Sequence, residues 1–143
     1  MKRILNGPGV AGPVNRIVNA PELGEPVGFS HAVVAGDTIY LGGQTAEAPD
    51  GSIVGDTFVE QFDRAAANLM VALRAAGGEP DDLVTLQVFV TDVAEYHQSV
   101  MALARVWRKH FGRRYPAMGL FGVRELFDPQ AKVELMGVAV RQT

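Results

Sequence analysis

The run Lys132–Val140 constrains this chain more than any other stretch. Val133, Leu135, Gly137 and Ala139 alternate with Glu134, Met136, Val138 and Val140, so both faces of a strand here are apolar apart from one carboxylate. Leu83–Thr91 has the same character. Val84, Leu86, Val88 and Val90 alternate with Thr85, Gln87 and Phe89, and Phe89 puts apolar area on the second face. Strands of this kind belong in a sheet that is covered on both sides for part of its length.

Two helices are available as cover. Thr57-Phe58-Val59-Glu60 has the form of a capping box, a hydroxyl followed three residues later by a carboxylate. Phe58, Phe62, Ala65, Ala66, Leu69, Met70 and Leu73 then recur at the spacing of one buried helical face, and Gly77-Gly78 supplies a left-handed stop. A second helix starts at Asp92-Val93-Ala94-Glu95 and runs to Phe111 before Gly112. Its apolar line is Tyr96, Val100, Leu103, Val106 or Trp107, and His110 or Phe111. Ahead of both helices, Phe29–Val34 and Thr38–Leu41 flank Ala35-Gly36-Asp37 as a β-hairpin that Gly42-Gly43 ends. After Pro116 come a strand over Met118–Val123, a loop over Glu125–Gln130 and the final strand.

The predicted order is β-β-α-β-α-β-β, an α+β chain with one mixed sheet and both helices on one face. Residues 6–26 are rich in Gly, Pro and Asn and are expected to be irregular, apart from short strands near Arg3–Leu5 and Arg16–Val18. The 143 residues suit a single domain. The second sheet face, rich in Val, Leu and Phe, has nothing in the chain to cover it and so calls for a partner. Copies packed around a common axis would form a closed ring.

A net charge of −3 leaves no electrostatic footprint for nucleic acid. The basic group Arg105, Arg108, Lys109, Arg113 and Arg114 reads as the solvated face of a helix. With no cysteine, disulfides, thiolate catalysis and Cys-ligated metals are excluded. Lys2-Arg3 is followed by Gly7-Pro8-Gly9 and not by an apolar run, and no stretch approaches the ~20 apolar residues of a membrane span. A soluble cytoplasmic protein is expected.

His31, His97 and His110 are isolated, and there is no GxGxxG, P-loop or His-x-x-x-His, so neither metal nor cofactor is expected. Glu134 is the anomaly, because an ionised carboxylate in an apolar strand costs several kcal/mol unless it is partnered. Either its face is exposed or arginine-paired, or it lines a cleft as an acid–base group. Gln44 is a simple loop residue or part of a surface where Gly42 and Gly43 let a ligand approach the backbone. Arg124 follows a strand and Arg113 and Arg114 precede one; they are surface charge or carboxylate-binding groups.

Taken together, these segments resemble the Rid (reactive intermediate deaminase, YjgF-like) family from about Phe29 to Val140. Gly28-Phe29-Ser30-His31-Ala32-Val33 is similar to the family's Gly-Pro-Tyr-Ser-Gln-Ala-Val, and Gly42-Gly43-Gln44 to its Ser-Gly-Gln. Gln61 with Asn68-Leu69, Ala75-Ala76-Gly77-Gly78, Leu83-Val84 and Val88-Phe89-Val90-Thr91-Asp92 follow the family pattern in order. Tyr115-Pro116-Ala117 matches the start of Pro-Ala-Arg-Ser, and Lys132-Val133-Glu134 resembles Val-Glu-Ile.

The resemblance implies a chorismate-mutase-like fold and a homotrimer with a small-molecule cleft between subunits. It also implies cofactor-free hydrolysis of enamines or imines to carbonyl compounds and ammonia. Glu134 would handle the water. Phe29, His31, Gly43, Gln44, Met118, Gly119 and Arg124 would contact the substrate. The chain departs from the pattern at four places: Met118 stands where the family has its anchor arginine, Gly119 where it has serine, Phe29 where it has tyrosine, and Gly42 where it has serine. Two functions follow. One is a divergent hydrolase acting on C–N bonds of a substrate other than simple 2-imino acids, with Arg114 or Arg124 as replacement anchor or His31 aiding proton transfer. The other is a non-catalytic, metabolite-binding or regulatory trimer.

Overall fold

A computed structural model describes residues 14–142, so the strand expected near Arg3–Leu5 lies outside the described residues. Six strands form one mixed sheet: β1 (Arg16–Val18), β2 (Ala32–Ala35), β3 (Thr38–Gln44), β4 (Leu83–Val90), β5 (Ala117–Gly122) and β6 (Val133–Val140). Their spatial order is β1-β2-β3-β6-β4-β5, with β4 and β5 parallel and every other pair antiparallel. The last strand thus inserts between β3 and β4, which run in the same direction. This gives β6 two strand neighbours along its length and makes it a central strand of the sheet.

Helix α1 (Phe58–Ala75) begins with the full capping box: Thr57 Oγ1 accepts from the Glu60 N–H at 3.1 Å, and Glu60 Oε1 accepts from the Thr57 N–H at 3.0 Å. Its buried face carries Phe58, Phe62, Leu69 and Leu73 onto β3 and β6. Burial of each such side chain contributes about 1.5–3 kcal/mol.

The second helix departs from the sequence expectation. It is divided at Ser99 into α2 (Val93–Gln98) and α3 (Val100–Phe111). The Ser99 hydroxyl donates to the Glu95 carbonyl at 2.8 Å, and the Ser99 N–H turns to Tyr96 O, so the helical ladder tightens and breaks there. The buried line of α3 is Leu103, Trp107 and Phe111, while Val100 is exposed. Trp107 stacks on Phe111 with ring centroids 4.1 Å apart.

Registration across the sheet assigns every strand residue to a face. Val18, Ala32, Leu41, Gly137, Leu86 and Met118 form one row on the helix-covered side. Ile17, Val33, Tyr40, Val138, Thr85 and Ala117 form the adjacent row on the other side. Phe89 pairs with both Glu134 and Phe121 on that second side, and its ring stacks on Phe121 at 5.5 Å. No element of the described residues packs over this face, and Tyr40 and Phe121 are 52% and 46% exposed there.

Candidate functional site

A cleft of about 540 Å³ opens at the end of β3 and β6, next to the open sheet face. Glu134 forms its floor. Gly42, Gly43 and Gln44 at the end of β3 form one wall, and the segment from Leu23 to His31 forms another. Phe127 and Asp128 come from the loop before β6. Between Leu41 and Gln44 the β3–β6 pairing slips, which brings Gly43 directly onto the Glu134 carboxylate. A Cβ at position 43 would stand 1.8 Å from Glu134 Oε2, so only glycine leaves the carboxylate its place. Burial pushes the Glu134 carboxyl above its ordinary pKa. No hydrogen bond or salt bridge to a described residue offsets that burial. Glu134 thus lines the cleft with no ion pair to a described residue.

His31 is 3% exposed and serves as a clasp. Its Nδ1 accepts from the Ala20 N–H at 3.0 Å, while its backbone N–H donates to Asn19 Oδ1 at 2.8 Å. These two bonds close the neck of the 19–31 loop. Burial lowers the imidazole pKa, and an Nδ1 that accepts a hydrogen bond carries no proton, so the ring is neutral with its proton on Nε2. Phe29 meets the His31 ring edge-on at 5.9 Å. Gln44 is 7% exposed and lines the cleft, although its register partner is the core residue Leu135.

Two buried carboxamides on α1, seven residues apart and therefore on one helical face, hold the walls in place. Asn68 Nδ2 donates to the carbonyls of Thr45 and Glu47, each at 2.9 Å. Gln61 Nε2 donates to Gly55 O and Gln130 O at 3.1 Å, and its Oε1 accepts from the Lys132 N–H at 2.8 Å.

The remaining candidates lie elsewhere. Arg124 lines a second cleft of about 460 Å³ with Gln61, Thr91 and Lys132. Arg114 is exposed and donates to the Asp81 carbonyl at 3.3 Å. Met118 is 42% exposed on edge strand β5, in the covered-face row, whereas Glu134 belongs to the open face. Gly119 shares the open face with Phe121, whose ring edge would stand 2.9 Å from a Cβ at position 119. Sequence reasoning misses Leu23, Glu25, Pro26, Val27, Glu47, Phe127 and Asp128, all cleft-lining. They sit outside the strands and α-helices, where no periodicity marks them. Among the described residues, no group of three or more His, Cys, Asp or Glu is arranged to hold a metal ion. No helix among them is long and apolar enough to cross a membrane.

Residues 20–141 match the family model described as Endoribonuclease L-PSP. A 2-iminobutanoate/2-iminopropanoate deaminase of Dermatophagoides farinae is 28% identical over 127 residues, covering 87% of this chain and 95% of that protein. A solved structure described as a putative endoribonuclease from Thermotoga maritima superposes with a TM-score of 0.80 at 27% identity, covering 91% of this chain and all of that one (100%). A solved RidA from an Antarctic Psychrobacter gives a TM-score of 0.76 at 25% identity over 87% of this chain and 98% of its own.

Proposed function

The chain belongs to the Endoribonuclease L-PSP family, the Rid or YjgF-like proteins, and from that premise we propose that it hydrolyses an imine or enamine in the cleft around Glu134, releasing a carbonyl compound and ammonia. The observation that carries this reading is the Glu134 carboxylate seated on Gly43 in a partly desolvated cleft. The naming of relatives as 2-iminobutanoate/2-iminopropanoate deaminases supports the same reaction class.

Glu134 acts as the base. Water oxygen bonds to the carbon of the protonated imine and gives one proton to the carboxylate, forming a neutral carbinolamine. The carboxylic acid returns that proton to nitrogen, and the C–N bond breaks. The hydroxyl becomes a carbonyl, and its proton leaves with the ammonia. In balance, one iminium ion and one water give one carbonyl compound and one ammonium ion. A carboxyl whose pKa is raised by burial suits a group that must accept and then return a proton. The neutral His31, with Nδ1 occupied by the Ala20 N–H, offers an Nε2–H donor to the oxygen of the intermediate.

The working unit is a homotrimer in the cytoplasm. Its open sheet faces pack together, and each cleft is completed at a subunit boundary, with position 118 entering from a neighbouring copy. The substrate differs from simple 2-imino acids, because Met118 cannot pair with a carboxylate and Arg124 lines the other cleft. Met118 is also the feature that favours the second reading, a trimer that binds a metabolite without turning it over. RNA cleavage, suggested by the family's description, fits poorly with a net charge of −3 and a cleft lined by carboxylates.

The test is the rate of imine loss from a panel of imines generated in situ, with wild-type protein and with Glu134→Gln. Wild type should accelerate at least one imine and the variant none. Equal rates with and without wild-type protein would leave the binding reading in its place.

A further inference from the structure

Resting on the activity proposed at Glu134, we infer that the cleft selects substrates without a carboxylate: neutral or cationic imines whose substituent is hydrocarbon or aromatic. Glu25, Glu47, Asp128 and Glu134 all line it, and no lysine or arginine among the described residues of the chain does. They arrive from four separate segments: the 19–31 loop, the turn after β3, the loop before β6, and β6 itself. The one basic side chain among its described lining residues, His31, is held neutral by the Ala20 N–H that its Nδ1 accepts. Nearby cations are engaged elsewhere. Lys132 pairs with Glu95 at 3.5 Å, Arg124 and Lys132 line the second cleft, and Arg114 bonds a carbonyl at Asp81.

Two further features of the lining make it more than a group of acids. Leu23, Pro26, Val27, Phe29 and Phe127 alternate with the carboxylates and present apolar area to a ligand. Gln44, 7% exposed, contributes a carboxamide that bonds no described residue and is left for a ligand. An anionic ligand entering this cleft meets like charge, whereas an iminium meets opposite charge. At the separations available in a cleft of this size, each carboxylate shifts the preference roughly fivefold before salt screening. Apolar area beside the acids favours a substituent of phenyl or alkyl type. An imine of this description arises when a primary amine loses two electrons and two protons, so the reaction that supplies it belongs to the class of amine oxidations.

Two arms separate charge selection from catalysis. In the first, phenethylammonium and 3-phenylpropanoate, similar in size and opposite in charge, compete for the full-length protein in a titration followed by NMR. The amine should bind at least tenfold tighter at low salt. The gap should narrow several-fold in the double variant Glu47→Gln, Asp128→Asn; the latter change keeps the oxygen that accepts from the Gln130 N–H. In the second arm, an amine oxidase generates the imine of phenethylamine and an amino-acid oxidase generates that of phenylalanine, two skeletons differing only by the carboxylate. The protein should accelerate hydrolysis of the first at least tenfold more than that of the second. Equal or stronger binding of 3-phenylpropanoate, or preferential turnover of the phenylalanine imine, overturns the inference even if catalysis is real. Tighter amine binding with neither imine accelerated upholds charge selection and removes the catalytic reading beneath it.

Discussion

Replacing Gly43 with alanine separates the position of the Glu134 carboxylate from the stability of the sheet. A Cβ at position 43 would stand 1.8 Å from Glu134 Oε2 and 2.8 Å from its Cδ. Ordinary contact begins at 3.4 Å, so the carboxylate must retreat by about 1.6 Å (3.4 minus 1.8). The obstructing atom is the end of a flexible side chain, and Gly43 is not among the glycines with positive φ, so the backbone accepts alanine unstrained. Alanine also reduces the freedom of the unfolded chain, so stability should change by less than about 1 kcal/mol. Displacing a reacting group by 1 Å costs on the order of a hundredfold in rate, and kcat/KM for imine hydrolysis should fall by at least that much. Gly42→Ala is the control. Its Cβ would meet the Ser30 backbone carbonyl oxygen at 2.5 Å, which cannot step aside, so about 1–3 kcal/mol of stability should be lost. Kinetics and thermal melts on the two variants decide the matter. A Gly43→Ala protein with wild-type kcat/KM would refute the assignment of Glu134 as the positioned base.

The Glu134 carboxyl also predicts how activity and stability vary with pH. Its folded pKa is raised by burial, so the native state holds the proton more tightly than the unfolded chain does. Its contribution to stability is therefore fully retained below the unfolded pKa and is lost as pH rises through the folded one. Glu134→Gln, with no charge to bury, should melt at or above the wild-type temperature at pH 7, and a lower melt would reveal a stabilising partner for the carboxylate. Wild-type kcat/KM should rise with pH to a plateau, with its midpoint above the ordinary glutamate range. The open sheet face predicts assembly: wild type should sediment as a trimer, and Phe121→Glu should yield monomers by burying a charge beside Phe89. A wild-type monomer at micromolar concentration would count against the packing of open faces.

Local signals account for most of what the sequence discloses. Helix α1 is legible because its cap, its apolar spacing and its stop all lie within twenty-odd residues, each acting on the backbone next to it. Glu134 is legible as a misfit, a carboxylate in an apolar strand, and the structure places it in the cleft. Non-local features are not legible in the same way. Insertion of β6 between β3 and β4 depends on which edges remain free once the hairpin and helices have formed. The interruption at Ser99 comes from one hydroxyl competing for a carbonyl inside an otherwise acceptable helix. Glu47 and Asp128 carry no pattern, and they reach the cleft because Asn68 and Gln61 fasten their loops to α1. The chain's own positive charges look like anchor candidates in sequence, yet Arg114 and Arg124 both lie away from the cleft.

Parity along the strands decides what Met118 can do. Met118 pairs with Leu86 on the covered side, whereas Glu134 pairs with Phe89 on the open side. Two strand spacings and three residues along β6 separate them, about 14 Å between Cα atoms. Within one chain the two positions cannot serve one substrate. Under the proposed assembly, edge strand β5 brings position 118 to the cleft of another copy, where the side chain would set the balance of charge. An arginine would place a cation among the carboxylates; methionine leaves their field uncompensated. Met118→Arg should therefore move the protein toward carboxylate-bearing ligands, raising the relative affinity for 3-phenylpropanoate over phenethylammonium roughly tenfold or more through a charge-assisted contact. The exposed edge position should tolerate the change with little loss of stability. Competition binding on the full-length protein measures the ratio. An unchanged ratio in a variant that still assembles would mean that position 118 never reaches the cleft, and the missing arginine would then have no bearing on what this protein binds.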